Sequence, residues 1–182
     1  MRAAQALGID ADQAFRHVHL AWKKVDLELR KRIGAAGEAA LVELLRSSVA
    51  ARVEHVSTYS DAYGYDIELF DASFQLHIEA KATLRRHRLT LFLSRHEYET
   101  MMHDPAWQLV AVHLSEDLRA EAICSVPAEW IQENVPSDHG FSGRWESCRL
   151  NIPPSQVTSG IPRLAPLFLD SRAPAIDGRV RW

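Results

Sequence analysis

Hydrophobic and polar residues alternate from Gly64 to Lys81, on both sides of a short polar turn at residues 71–73. Alternation that flanks such a turn is typical of a β-hairpin. Because successive side chains of a strand point to opposite faces, each strand of this hairpin has one apolar and one polar face. The apolar face is predicted to carry Tyr65, Ile67, Leu69, Leu76, Ile78 and Ala80. The polar face is predicted to carry Asp66, Glu68, His77, Glu79 and Lys81.

Apolar residues at helical spacing predict two helices before the hairpin. They cover residues 11–33 and 37–46, and the break between them is marked by Gly34 and Gly37. Apolar runs of strand length, bounded by polar residues, are typical of strands. They predict further strands at residues 52–58, 89–93, 107–114 and 120–126.

A capping signal marks the start of a third helix. Ser94 is followed three residues later by Glu97, and at this spacing each side chain can bond the backbone of the other at a helix start. Pro127 begins a short fourth helix that ends near Asn134. This order of elements predicts an α/β (α+β) fold with a central mixed sheet flanked by helices.

The chain is predicted to have three parts. Residues 1–33 form an N-terminal helical segment, and residues 34–135 form the core. Residues 136–182 hold six of the eight prolines and show no sustained period. We therefore expect an irregular C-terminal extension with short strand pieces, which is ordered only where it packs.

Composition narrows the functional classes. A formal net charge of −3 over 182 residues excludes a strongly basic, histone-like protein, so nucleic-acid binding requires a local patch. Cys124 and Cys148 lack metal-ligand spacing and are interpreted as free thiols in a reducing compartment. Neither a signal-peptide core nor a membrane-length apolar run is found, so we expect a cytoplasmic protein without membrane contact. Motifs for structural zinc, nucleotide hydrolysis and a nucleophile elbow are also absent.

The charged face of the hairpin suggests a functional site. With the turn centred near Ala72, position 66 lies opposite position 78 or 79, where opposed Cβ atoms are about 5 Å apart. Asp66, Glu79 and Lys81 then converge at the open end of the hairpin, as a divalent metal site beside an amine requires. A Glu-x-Lys pair alone is more typical of a solvated strand face, so both interpretations stay open at this point.

Four short segments follow one another in a specific order: Gly34-Ala35-Ala36-Gly37-Glu38, Gly64-Tyr65-Asp66-Ile67, Ile78-Glu79-Ala80-Lys81 and Phe92-Leu93-Ser94-Arg95-His96-Glu97. In this order they resemble the PD-(D/E)xK nuclease superfamily, and within it the Mrr-like restriction nucleases and the NO VEIN C-terminal-type domain of unknown function. The resemblance spans roughly residues 30–115 and implies a restriction-endonuclease-like core. Two positions depart from the family pattern, because Tyr65 replaces the usual Pro and Ala80 the usual Val or Cys.

The resemblance implies a Mg²⁺-dependent endonuclease that hydrolyses DNA, with Mn²⁺ as a substitute cofactor. It implies a catalytic set of Glu38, Asp66, Glu79 and Lys81. Asp66, Glu79 and the backbone carbonyl of Ala80 would bind the metal, with Glu38 as a ligand directly or through water. Lys81 would orient the attacking water and stabilise the charge that develops on phosphorus.

A basic run follows Lys81 directly. Arg85, Arg86 and Arg88 lie in it, and Arg95 follows at the start of the next helix. Beside a metal site these side chains are predicted to contact DNA phosphates. A solvated loop is the alternative.

The sequence therefore favours a DNA nuclease of restriction, phage defence or repair. One alternative is a non-catalytic DNA- or protein-binding module of the same fold within a larger defence complex. Another is a toxin or metabolic hydrolase that acts on a different substrate. A homodimer and partner proteins from a defence system are both compatible with the sequence.

Overall fold

This computed structural model describes residues 11–60, 62–85, 89–138 and 143–182, and the side chains of residues 11–26 fall outside the description. The chain divides into two units, Met1–Ile33 and Gly34–Trp182. Of the first unit the structure describes a stretch of helix. The second unit contains the sheets and the hairpin.

Helix α1 runs without interruption over Ala11–Ser48. The predicted division into two helices at Gly34 and Gly37 is therefore wrong. Glycine lowers helix stability by about 1 kcal/mol relative to alanine, a cost that tertiary packing can offset. Gly37 is buried, and a Cβ atom there would collide with the Cβ of Ala82. The glycine thus allows the helix to lie close to the strand that carries Ala82.

In the described part of the chain, strands and two further helices follow α1. The strands are β1 (Arg52–His55), β2 (Ile67–Phe70), β3 (Gln75–Thr83), β4 (Leu89–Ser94), β5 (Trp107–Leu114), β6 (Ala120–Val126), β7 (Ser147–Ile152) and β8 (Thr158–Ser159). The helices are α2 (Arg95–His103) and α3 (Ala128–Asn134). Short 3-10 helices cover Val56–Thr58, Pro154–Gln156 and Pro162–Leu167.

Six of these strands form a mixed sheet in the order β1-β2-β3-β5-β6-β8. β3 and β5 are parallel, whereas the other neighbouring pairs are antiparallel. β4 and β7 pair in a separate antiparallel two-stranded sheet. The predicted fold class, α/β with a central mixed sheet and flanking helices, is confirmed.

The predicted hairpin is formed by β2 and β3. Ile67 pairs with Ile78, so the preceding Asp66 and the following Glu79 lie opposite each other. The strand predicted over residues 52–58 is shorter, because β1 ends at His55 and a 3-10 turn follows. The register thus brings the two carboxylates together at the end of the hairpin farthest from its turn.

The core of the second unit lies on both faces of the central strands. β5 lies between β3 and β6 and is buried at seven of its eight positions. One apolar cluster joins β4, β7, α2 and α3 to β5 and β6, with Leu93, Leu109 and Ile131 fully buried. Cys124 and Cys148 belong to this cluster and are free thiols, as predicted.

The segment after α3 contributes to the same core. Ile161, Leu164 and Ile176 are fully buried there. β7 alternates strictly between exposed and buried residues, which matches a strand with one face on the core. No helix in the described part of the chain is long and apolar enough to cross a membrane.

Candidate active site

Asp66 lies just before β2, where the hairpin opens. Its backbone N–H donates to the carbonyl of Ile78 at 2.9 Å, and its Oδ2 accepts from the backbone N–H of Ala80 at 2.8 Å. Gly64 precedes it with φ at +71°, and a Cβ atom there would collide with the side chain of Thr100. The Trp107 indole also donates to the Gly64 carbonyl at 2.9 Å. Asp66 is thus fixed by backbone bonds and by a turn that requires glycine.

Glu79 and Lys81 lie two residues apart on β3, on the same face. Glu79 is only 4% exposed, and β3 is an inner strand of the sheet, between β2 and β5. Its Oε1 accepts a hydrogen bond from the Lys81 ammonium at 2.7 Å. Burial raises the pKa of Glu79 well above its usual value; Lys81 opposes that rise, and the charge of Asp66 adds to it. The polar face of β3 is therefore a buried charged cluster and not a solvated strand face.

Glu97, in the first turn of α2, completes this cluster. Its Oε1 accepts a second hydrogen bond from the Lys81 ammonium at 3.0 Å, and its Oε2 accepts from the backbone N–H of Ser94 at 2.8 Å. Burial opposes the charge on Lys81, but Glu79 and Glu97 outweigh it and raise the pKa of the ammonium. Lys81 therefore stays cationic between two carboxylates.

Asp66 is the carboxylate whose pKa moves into an accessible range. Burial, with the charge of Glu38 as the next cause, raises the pKa of Asp66 to about 6. The hydrogen bond from Ala80 and the charge of Lys81 act in the opposite direction. The negative charge of these close carboxylates is thus only partly neutralised by the protein itself. Such an excess of negative charge favours a bound cation.

Glu38 reaches the cluster from α1. Its Oε2 is held by the Ser57 hydroxyl at 2.7 Å and lies 3.1 Å from His55 Nε2. These contacts tie the helix to the segment between β1 and Asp66. The charge of Glu38 is the second cause of the raised pKa of Asp66, after burial.

A cavity of about 230 Å³ opens at this cluster. Its lining consists of Ser57, Ser60, Gly64, Tyr65, Asp66, Glu79, Ser94, His96 and Glu97. Three carboxylates thus face one space, and Lys81 is ion-paired to two of them. Carboxylate oxygens are the donors that hard divalent cations prefer, so the chemistry of these groups fits Mg²⁺ or Mn²⁺.

The number of protein ligands limits such a site. Among the described residues no group of three or more His, Cys, Asp or Glu side chains is arranged to hold a metal ion. A cation here would therefore need water among its ligands. Mg²⁺ is typically bound in this way, by one or two carboxylates with several waters retained.

The predicted phosphate contacts have different surroundings. Arg85 is exposed in the loop after β3, whereas Arg86 and Arg88 lie outside the described residues. The Arg95 guanidinium forms two parallel bonds to Asp138, at 2.8 and 3.0 Å, and a third to Glu99 at 2.8 Å. It also lies 5.1 Å from the centre of the Trp145 ring. Arg95 thus links α2 to the segment after α3.

Glu97, Ser57 and His96 line the cavity but were not among the predicted catalytic or metal-binding residues. The spacing from Ser94 identified Glu97 as a helix cap, and the structure confirms the capping box. That signal could not reveal the bond to Lys81, since it depends on how α2 lies against β3. His96 lines the cavity, and its Nε2 lies 3.0 Å from the Ala62 carbonyl. His77 instead has structural contacts, with Asp104 and with the Tyr65 ring stacked on it at 4.2 Å.

Comparisons with known proteins bear on the segment that carries this site. A solved structure of Hjc, a Holliday junction resolvase from Archaeoglobus fulgidus, matches 65% of this chain and 83% of its own, with 18% identity and a TM-score of 0.39. No curated protein matches the chain. The family model described as "Protein NO VEIN, C-terminal" matches residues 37–124, which contain all four predicted catalytic residues and Glu97. The predicted resemblance to the NO VEIN C-terminal-type domain is therefore confirmed over residues 37–124.

Proposed function

We propose that this protein is a metal-dependent nuclease that hydrolyses phosphodiester bonds of DNA. The observation that carries the proposal is the group of carboxylates from Asp66, Glu79 and Glu97 around one cavity, with Lys81 paired to two of them. Metal-assisted attack of water on a phosphate needs oxygen ligands for the cation and a positive charge near the reacting phosphorus. This cluster offers both.

Each residue has a role in the proposed reaction. Asp66, Glu79 and the Ala80 carbonyl hold Mg²⁺ or Mn²⁺, and Glu38 is a ligand directly or through water. When bound, the cation supplies Lewis-acid stabilisation of phosphate charge and lowers the pKa of a water. Lys81 donates hydrogen bonds to the attacking water or to a phosphate oxygen. The water oxygen bonds to phosphorus as the P–O bond to the leaving strand breaks, and one proton passes from the water to the leaving oxygen.

The motif order supports DNA as the substrate and restriction, phage defence or repair as the setting. Glu38, Asp66, Glu79 and Lys81 follow one another as in the PD-(D/E)xK nucleases, and each contacts or electrostatically influences another member of the set. Exposed Arg85 follows the strand that carries Lys81 and is available for phosphate contact.

A cleavage assay tests the proposal. Purified protein is incubated with plasmid and with a single-stranded oligonucleotide, in Mg²⁺, in Mn²⁺ and in EDTA. We expect metal-dependent cleavage that falls by about 10² to 10³ in Asp66→Asn and in Lys81→Met. Asp66→Asn removes the negative charge of a proposed metal ligand, and Lys81→Met removes the positive charge near the reacting phosphate. Glu116→Gln, which removes an exposed carboxylate in the turn after β5, is the matched control.

Two results would contradict the nuclease. One is cleavage that persists in both variants, which indicates a contaminating enzyme. The other is DNA binding without cleavage that neither substitution changes, which assigns the chain to the non-catalytic binding modules of this fold.

Salt dependence tests the phosphate contact separately. Neutralising one phosphate-contacting cation lowers the slope of log affinity against log salt by about 1. We expect this change in Arg85→Ala. Arg95→Ala is the comparison variant. The Arg95 guanidinium is already bound to Asp138 and Glu99, so we expect a smaller change in slope. An unchanged slope in Arg85→Ala would place DNA elsewhere on the surface.

A further inference from the structure

The Lys81 ammonium lies between two carboxylates that come from different elements. Glu79, two residues earlier on β3, accepts at 2.7 Å, and Glu97 from α2 accepts at 3.0 Å. All three side chains are largely buried, at 22%, 5% and 18% exposure for Lys81, Glu79 and Glu97. In such surroundings both ion pairs are screened less than pairs at the surface.

The carboxylate of Glu97 is oriented independently of Lys81. Its Oε2 accepts from the backbone N–H of Ser94 at 2.8 Å, while its own backbone N–H donates to the Ser94 hydroxyl at 3.2 Å. This capping box fixes the side chain to the start of α2. Oε1 is therefore presented to the ammonium by the helix terminus.

Glu79, in contrast, binds two cationic groups in the proposed nuclease. It is the closest counter-ion of Lys81, and it is also a ligand of the divalent cation. A cation on Glu79 repels the neighbouring ammonium, and like charges a few ångströms apart interact strongly in a partly buried site. With Glu79 as the sole partner, the Lys81 ammonium would lose much of its stabilising charge interaction when the metal binds.

We propose that Glu97 is a positioning residue that holds the Lys81 ammonium at the cavity while Glu79 binds a divalent cation. This inference rests on the proposed function, since it assumes that Glu79 is a metal ligand. Glu97 supplies a counter-ion outside the predicted ligand set, so the site keeps its cation and its ammonium together. The same contact reduces the competition of Lys81 for Glu79.

A double-mutant cycle on metal binding tests the role without any nucleic acid. Titration calorimetry with Mn²⁺ alone is performed on wild type, Glu97→Gln, Lys81→Met and the double variant. Glutamine still accepts from the Ser94 N–H, so the capping box survives the loss of charge. We expect Glu97→Gln to weaken Mn²⁺ binding about tenfold, the range found for residues that orient metal ligands. In the Lys81→Met background the same substitution should have little effect, because the competing ammonium is gone.

Glu99→Gln is the matched control, since Glu99 lies on the same helix but pairs with Arg95. Thermal melting of every variant identifies any change that reflects folding. Equal weakening by Glu97→Gln in both backgrounds would overturn the positioning role and make Glu97 a metal ligand. Unchanged binding in the wild-type background would overturn it as well.

Cleavage kinetics give a second readout. We expect Glu97→Gln to lower kcat about 10- to 100-fold with little change in KM for DNA, the effect of a misplaced catalytic group. If the mutant cycle shows the expected coupling in Mn²⁺ binding but the wild-type protein cleaves no DNA, the nuclease proposal is overturned and the positioning role stands. Wild-type protein that binds no Mn²⁺ would overturn both.

Discussion

Asp66 illustrates what a buried acidic cluster costs the folded protein. Burial and the charge of Glu38 raise its pKa from 3.8 to about 6. Between these two values the folded chain binds a proton that the unfolded chain has released. The free energy of unfolding therefore falls as pH rises through this window, and the loss persists at higher pH.

We predict that Asp66→Asn stabilises the metal-free protein at about pH 8 and has little effect near pH 4. A shift of this size corresponds to about 2 to 3 kcal/mol. Asparagine can still accept the hydrogen bond from the Ala80 N–H, so the loss of charge is the main change. Urea unfolding at both pH values measures it, with Glu116→Gln as the exposed control. Equal stability of the variant and wild type at pH 8 would contradict the prediction.

At the residue scale, the local pattern predicted which charged side chains share one face of the hairpin, but not the contacts that hold them. Alternation placed Asp66, Glu79 and Lys81 on one face, and the register confirms that placement. The bonds from Lys81 to Glu97 and from Arg95 to Asp138 join distant parts of the chain. No local spacing specifies such pairs, because they depend on how helix and sheet pack.

At the scale of elements, the two glycines of α1 offer a matched pair. A Cβ atom at Gly37 would collide with Ala82, whereas nothing lies within 4 Å of one at Gly34. We predict that Gly37→Ala destabilises the fold by about 1 to 3 kcal/mol, as overpacking does. Gly34→Ala should instead stabilise it by about 0.5 to 1 kcal/mol through helix propensity. Urea midpoints compare the two.

A destabilising Gly34→Ala would show that this part of α1 is not helical in solution. A neutral Gly37→Ala would show that the helix can move away from β3 at no cost. Either result would contradict the account of α1 as one continuous helix that packs closely on the sheet.

Elements with strong local signals were predictable, and those decided by distant contacts were not. The hairpin, the Ser94 capping box and the β5–β6 pair follow from alternation, cap spacing and apolar runs. The close approach of Gly37 to Ala82, which is remote from it in sequence, could not be predicted from the local pattern of α1. β7 carried a usable signal, the strict alternation of residues 147–152, although the prolines around it favoured an irregular segment.

At the scale of the whole molecule, the C-terminal segment is part of the core of the second unit. Ile176 is fully buried, and Leu169 is 37% exposed in the same segment. We predict that Ile176→Ala lowers the free energy of unfolding by about 2 to 5 kcal/mol, the usual cost of such a cavity. Leu169→Ala should change it by less than about 0.5 kcal/mol. Denaturant unfolding of both variants measures the two effects. If both substitutions have similarly small effects, the segment is not packed in solution.

The shortest strand of the sheet, β8, affects how long an edge of the sheet stays unpaired during synthesis. β8 pairs only Thr158 and Ser159 with β6, where they lie opposite Ser125 and Cys124 on the side away from β5. β6 ends at Val126, so more than thirty further residues must leave the ribosome before this edge is closed. Throughout that interval the edge offers unpaired backbone groups to any neighbouring chain. Pairing of Thr158 and Ser159 with this edge is therefore a late event in the synthesis of the chain.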